Sequence, residues 1–275
     1  MTNVTPIRLI CAVLLLAAPA CGSAARPARV LRVCADPNNL PFSNQREEGF
    51  ENRLAKLIAT ELSASVRYTW WPQRRGFIRN TLAAGKCDLV MGMTTGAERM
   101  LTTTPYYRST YVFVFRKDRH LAVKSLDDPA LHTLRIGVQL VGDDYANTPP
   151  VHALSRRGIS GNLVGFSVFG DYSQENPPAR IIDAVISRDV DLAVAWGPLA
   201  GYFAKRSPVA LEIVPVSPAV DPSGLRFTFD ISLAVRTGDV ALKQELEGVL
   251  ERKRSDIDRI LKDYGVPLVP LDNPQ

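Results

Sequence analysis

The sequence predicts an α/β protein of two lobes, each a mostly parallel sheet flanked by helices, joined by a hinge that the chain crosses twice. Three observations carry this. Short apolar runs alternate with helical patterning twice along the chain, and strand–helix alternation with short loops requires parallel strands and right-handed crossovers. A last strand and a long helical stretch, residues 228–261, have no room in the second alternation and complete the first. About 255 residues follow the N-terminal twenty, more than one small core organises.

Residues 1–20 carry Arg8, an apolar run from Leu9 to Ala18 and the small-residue exit Ala18-Pro19-Ala20. That is the layout of a secretory signal, and the run is too short to span a bilayer. The mature chain is therefore expected in the periplasm. Cys21 follows directly, either as the acceptor of a lipid anchor or as a cysteine standing near a cleavage point; Ala18 occupies the place where lipid-acceptor signals usually carry Leu. Arg8 is the one charged residue of the leader, so the net charge of +5 barely changes on its removal. Cations and acids are interspersed, which argues against a nucleic-acid partner.

The first strand is read at Val30–Ala35, and the prolines and asparagines of Asp36–Asn44 forbid a regular element after it. Phe50, Leu54, Leu57, Ile58 and Leu62 recur at helical spacing within 49–63. A strand at Val66–Trp71, a helix through Phe77, Ile78 and Leu82 closed by Gly85, and a strand at Cys87–Met93 complete β-α-β-α-β. A further strand, Tyr111–Arg116, ends this part.

The second alternation reads as a strand at Leu134–Val138, a helix at Val151–Arg157 capped by Gly158, a strand at Leu163–Phe166, a helix at Pro177–Arg188 and a strand at Asp191–Ala195. Leu211–Val216 and Thr228–Val235 are strands, and Val240–Leu261 is read as one helix. Lobe 1 is thus expected from 29–116 and 221–268, lobe 2 from 117–220, with a tail at 269–275. Two such crossings form a hinge over a cleft.

Cys34 and Cys87 remain after cleavage, on strands that could be neighbours in an oxidising compartment, and a disulfide is expected between them in preference to two buried thiols.

Ligands of open α/β sheets bind outside the carboxyl ends of strands. There the sequence places Thr94, Thr95 and Arg99, hydroxyls and a fixed cation suited to a carboxylate, although Arg99 could equally pair with a neighbour such as Glu98. Asp36, Phe42 and Trp196 stand at other strand ends. Of Trp70 and Trp71 only one can face a cleft, since strand neighbours point oppositely, and Trp70 is taken as the lining residue. Asp143 follows a strand, where it either meets a cation or is solvated. His120, His132 and His152 lack metal-ligand spacing, and no nucleophile elbow or glycine-rich phosphate loop occurs, so neither a cofactor nor catalysis is expected.

The stretches Ala84-Gly85-Lys86-Cys87-Asp88, Thr95-Gly96-Ala97-Glu98-Arg99 and Thr104-Pro105-Tyr106-Tyr107-Arg108-Ser109 resemble the type II periplasmic solute-binding proteins of the extracellular family three class, over nearly the whole mature chain. The runs Cys34–Asn44 with Gly49–Asn52, and Tyr68–Phe77, are similar to its quinoprotein-dehydrogenase-associated branch, MxaJ- and XoxJ-like, of methanol oxidation. The class implies ligand capture by hinge closure and aligns Arg99 with its carboxylate-binding arginine. The branch implies a periplasmic accessory of a PQQ-dependent alcohol dehydrogenase, acting by partner contact or by capture of a small organic ligand. Trp196-Gly197 stands where amino-acid binders of the class place an acid for the ammonium, and an unpaired ammonium in a closed cleft is costly. Two other readings stay open: a receptor delivering an organic acid or amino acid to an ABC permease, and a dehydratase-like enzyme on the same fold.

Overall fold

A computed structural model of the chain describes residues 1–2, 29–141, 147–168 and 171–271. The remainder of the expected leader, Cys21 and Asp143 lie outside the described residues. In chain order the first elements are β1 (Arg29–Ala35), the short hairpin β2 (Asn38–Asn39) and β3 (Ser43–Asn44), α1 (Phe50–Glu61), β4 (Ala64–Trp70), α2 (Phe77–Asn80), β5 (Leu89–Thr94), β6 (Leu101–Thr102) and β7 (Tyr107–Arg116). Then come β8 (Ile136–Leu140), α3 (Pro149–Arg156), β9 (Leu163–Ser167), α4 (Arg180–Ser187), β10 (Leu192–Trp196), α5 (Gly197–Lys205) and β11 (Leu211–Pro215). The chain returns through β12 (Thr228–Val235), α6 (Val240–Arg252) and α7 (Arg254–Asp263).

Apart from the separate β2–β3 pair, the strands form one curled sheet in the order β4-β1-β5-β12-β7-β10-β8-β9, with β11 also on β7 and β6 on β12. The trios β4-β1-β5 and β10-β8-β9 are parallel, as alternation demands, while β12, β7 and β11 add antiparallel pairings in the middle. Return strands of this kind make each half a mixed sheet.

The first crossing between lobes falls between Thr110 and Tyr111, earlier than the expected residue 116. β7 pairs with β12 up to Thr110 and with β10 and β11 from Tyr111 onward. Polar side chains hid this, and Arg108, Ser109 and Thr110 fall outside the strand expected at Tyr111–Arg116. All three are paired: Arg108 with Asp230, while the hydroxyls of Ser109 and Thr110 donate to the carbonyls of Pro267 and Phe227. Satisfied in this way, polar groups can be buried in a strand interior. The second crossing, residues 216–228, lies beside the first: Tyr111 N donates to Phe227 O at 2.8 Å and Val216 N to Tyr111 O at 3.0 Å.

Lobe 1 has its core between the sheet and the helices α1, α6 and α7, where Phe50, Leu54, Ile58, Leu233, Leu246, Ile257 and Leu261 are buried. The stretch expected as one helix breaks at Lys253, and the break turns α7 so that Ile257 and Leu261 meet the same core as Leu246. Lobe 2 has apolar layers on both faces of β7 and β10: Phe113, Phe115, Leu192 and Val194 on one, Val112, Val114, Ala193 and Ala195 against α4 on the other. Alternation of side chains along a strand produces that division.

α2 is a single turn rather than a helix through Leu82, because Thr81 leaves the helical region; Leu82 is buried from the turn instead. Cys34 and Cys87 form a disulfide with a Cα separation of 5.6 Å, across 53 residues of chain. Closing a loop of that length contributes about 4 kcal/mol on the chain-entropy account.

Candidate functional site

Between the lobes, around the seam where β7 passes from one to the other and the chain returns into β12, lies a cavity of about 440 Å³. That volume suits a small organic ligand. Lobe 1 contributes Asn39, Phe42, Gln73, Gly92 and Thr94, lobe 2 contributes Gln139, Val141, Val168, Trp196 and Leu199, and the seam contributes Tyr111, Phe229 and Ile231. No charged side chain is among these lining residues.

Phe42 is placed by the turn after β1. Asp36, 3 % exposed, accepts from the backbone of Asn38 at 2.8 Å and of Gln73 at 2.6 Å, and its own carbonyl accepts from Ser43 Oγ. Gly49 then lets α1 approach: a Cβ there would collide with the Phe42 carbonyl, which accepts from Glu51 N. The Phe42 ring rests edge-on against Phe50 at 5.4 Å.

At the seam, Tyr111, Trp196 and Phe229 pack edge to face with centroids 5.3, 6.0 and 6.5 Å apart. Trp196 ends β10 and precedes α5, a helix the sequence reading missed; Gly197 starts it, and a Cβ there would strike the Thr110 carbonyl. Trp196 N donates to Gln139 Oε1 at 2.9 Å, which fixes the amide so that its NH₂ group is the free end. Burial pushes the Tyr111 phenol far above its ordinary range, so it stays a neutral donor.

Glu51 sits behind Gly92, where a Cβ would overlap its Oε1. Gly92 has φ +71°, so a side chain there is both strained and blocked. Glu51 has no ion pair or side-chain hydrogen bond among the described residues. Burial first, and the nearby Asp36 second, push its carboxyl up to about 8.

The sequence-predicted residues divide. Phe42, Thr94 and Trp196 line the cavity. Asp36 does not, because the turn and the lobe contact use up its oxygens: Tyr172 of lobe 2 donates to it alongside Asn38 and Gln73. Thr95 is turned to Ser232 Oγ, 2.6 Å away. Trp70 stacks on Tyr68 at 4.5 Å, since residues two apart share a strand face. Arg99 is exposed, at φ +64° in the turn after β5, with no ion pair among the described residues, and it is not among the lining. Asp143 lies outside the described residues. The sequence reading did not single out Tyr111, in the middle of β7, or Phe229, at the start of β12, neither of them at the carboxyl end of a strand.

The two lobes also meet at both sides of the cavity. Tyr172 and Asp36, with Asn38 Nδ2 donating to Gln174 O at 2.8 Å, form one fastening. On another, Gly201 of α5 lets the helix touch Gly265, and Tyr202 stacks on Tyr264 at 5.6 Å.

The model of the bacterial extracellular solute-binding proteins, family 3, matches residues 31–267. The chain is 32 % identical over 259 residues to Protein MoxJ of Methylorubrum extorquens, covering 91 % of this chain and 85 % of that protein. Among solved structures it is similar to MxaJ from Methlophaga aminisulfidivorans, with a TM-score of 0.76, 30 % identity, and coverage of 87 % of this chain and all of the other. The periplasmic binding protein XoxJ from Methylobacterium extorquens gives a TM-score of 0.71 at 36 % identity, covering 88 % of this chain and all of that one.

Proposed function

The chain belongs to the bacterial extracellular solute-binding proteins of family 3, and from that membership we propose a periplasmic, non-enzymatic accessory of a PQQ-dependent alcohol dehydrogenase system of the methanol-oxidising kind. It acts by holding a small organic molecule between its lobes and by contact with the dehydrogenase. Its likeness to MoxJ, MxaJ and XoxJ proteins supports the setting.

The observation that carries the ligand side is that no described residue lining the cavity bears a charge. A carboxylate or ammonium enclosed there would lose its water without gaining a partner among the described lining residues, at a cost of several kcal/mol. An uncharged ligand instead meets the rings of Phe42, Tyr111, Trp196 and Phe229, with Thr94 and the free end of Gln139 offering hydrogen bonds. Phe42, Thr94 and Trp196 are its proposed contacts.

The competing reading, a receptor for an ABC permease, is separated by affinity capture from periplasm of cells grown on methanol. Recovery of a quinoprotein alcohol dehydrogenase with the tagged chain is expected. Recovery of a permease without the dehydrogenase would contradict the proposal.

A further inference from the structure

Residues 62–87 hold five cations, Arg67, Arg74, Arg75, Arg79 and Lys86, and no aspartate or glutamate. All five are exposed. The segment comprises β4, the turn after it, α2 and the turn to Cys87, and its parts touch. Thr69 Oγ1 donates to Lys86 O at 3.0 Å, Lys86 Nζ lies 4.6 Å from the centre of the Trp71 ring, and the Arg79 guanidinium lies over Gly76. Arg67, Thr69, Trp71 and Lys86 therefore share one face of the segment, with Arg79 on the adjoining α2, whereas Arg74 turns to the lobe contact and lies over the Tyr172 ring at 4.8 Å.

Three features mark this face as more than a solvated surface. Arg67 stands beside Arg32 in the β1–β4 register, a like-charge neighbour pair that costs stability, and Arg32 is already held by Asp88. Arg67, Arg79 and Lys86 have no ion pair among the described residues, whereas many other surface arginines of the chain do. Trp71, 36 % exposed, sits in the middle, and tryptophan and arginine are the side chains that most often anchor protein contacts. β4 is moreover the outer strand of the sheet among the described residues, with one row of backbone groups unpaired.

We infer that this face is a docking surface for an acidic protein partner. The cations steer a surface rich in Asp and Glu onto lobe 1, Trp71 supplies the apolar anchor, and the free row of β4 can pair with a strand or extended segment. A lipid headgroup layer has no use for that row, which is why a protein is the favoured occupant. The inference rests on the reading that the chain contacts a dehydrogenase and names the surface it uses.

The test compares the wild-type chain with the triple variant Arg67→Gln, Arg79→Gln, Lys86→Gln, and with a triple control Arg67→Lys, Arg79→Lys, Lys86→Arg. Binding to the purified quinoprotein alcohol dehydrogenase is measured at 20, 150 and 500 mM NaCl, and vesicles of phosphatidylglycerol serve as a second probe. The expected result is about tenfold weaker binding of the glutamine triple at 20 mM, a shallower salt dependence, and near wild-type behaviour of the control. Wild-type affinity in the glutamine triple overturns the docking face but leaves the accessory role standing. A wild-type chain that binds no dehydrogenase at any salt overturns both. Binding of vesicles but not of the dehydrogenase, lost in the triple, assigns the face to a membrane and overturns the inference.

Discussion

The cavity and the outer face of lobe 1 are opposite in chemistry. The described lining of the cavity contains rings, amides and hydroxyls but no charge, whereas residues 62–87, apart from Gln73 at the cavity, hold five exposed cations and no acid. Charge has been kept out of the place where desolvation would make it costly and collected where water makes it cheap. Inside, recognition depends on shape and a few hydrogen bonds. Outside, it depends on a field that salt weakens, with a range of about 8 Å at physiological ionic strength.

The two regions share lobe 1 and are linked by the disulfide, so its loss is the largest perturbation. Replacing Cys34 and Cys87 by Ala is expected to cost about 4 kcal/mol in urea unfolding. It should weaken the cavity and the basic face together. An unchanged midpoint would show that neither depends on the bridge.

Trp196→Ala strikes the cavity alone. Its ring packs on Tyr111 and Phe229, so removal should cost roughly 2–3 kcal/mol, less than a fully buried tryptophan, and abolish small-molecule binding. Differential scanning calorimetry with and without the captured molecule measures both.

Glu51 separates the regions by pH. Its folded carboxyl titrates at about 8 and its unfolded one near 4.5, so the native state holds the proton more tightly. Its contribution to stability is therefore full below about pH 4.5 and is lost as pH rises through about 8, with a slope of up to about 1.4 kcal/mol per unit. Glu51→Gln should flatten unfolding free energy over that window. A slope unchanged by the substitution would show the carboxyl to be solvated. The groups facing Glu51, namely Asp36, Tyr68, Tyr106 and Tyr107, carry no positive charge that would alter the sign.

The smallest effect belongs to the outer face. Arg67→Gln should change stability by no more than about 0.5 kcal/mol, because it has no ion pair to lose and stands beside Arg32. A large loss by thermal unfolding would make this arginine structural.

Much of the fold was legible because alternation of apolar runs with helical stripes is imposed by the core itself. β1, α1, β5, β10 and β12 fall within two residues of their expected bounds, and the Cys34–Cys87 pairing followed from the neighbouring strands. The seam was not legible. Ser109 and Thr110 are buried, and Arg108 half-buried, with partners more than a hundred residues away, and no local pattern announces such pairing.

The cavity was half legible for a related reason. The strand-end rule reached Phe42, Thr94 and Trp196. It failed for Tyr111 and Phe229, because the seam exposes the middle of β7 and the start of β12 to the cleft, and neither is a carboxyl end of a strand. Asp36 and Thr95 stood at strand ends too, but hydrogen bonds with Gln73 and Ser232, 37 and 137 residues away, engage them. Arg99 illustrates the limit of motif position: its turn places it outside the lining.

The most direct test crosses the two regions in one experiment, measuring dehydrogenase affinity for Trp196→Ala and for the triple Arg67→Gln, Arg79→Gln, Lys86→Gln at low salt. The account predicts that the cavity variant binds within about twofold of wild type while the triple weakens about tenfold. Loss of dehydrogenase binding in Trp196→Ala, with the triple unaffected, would show that the partner enters the cleft and would contradict the account.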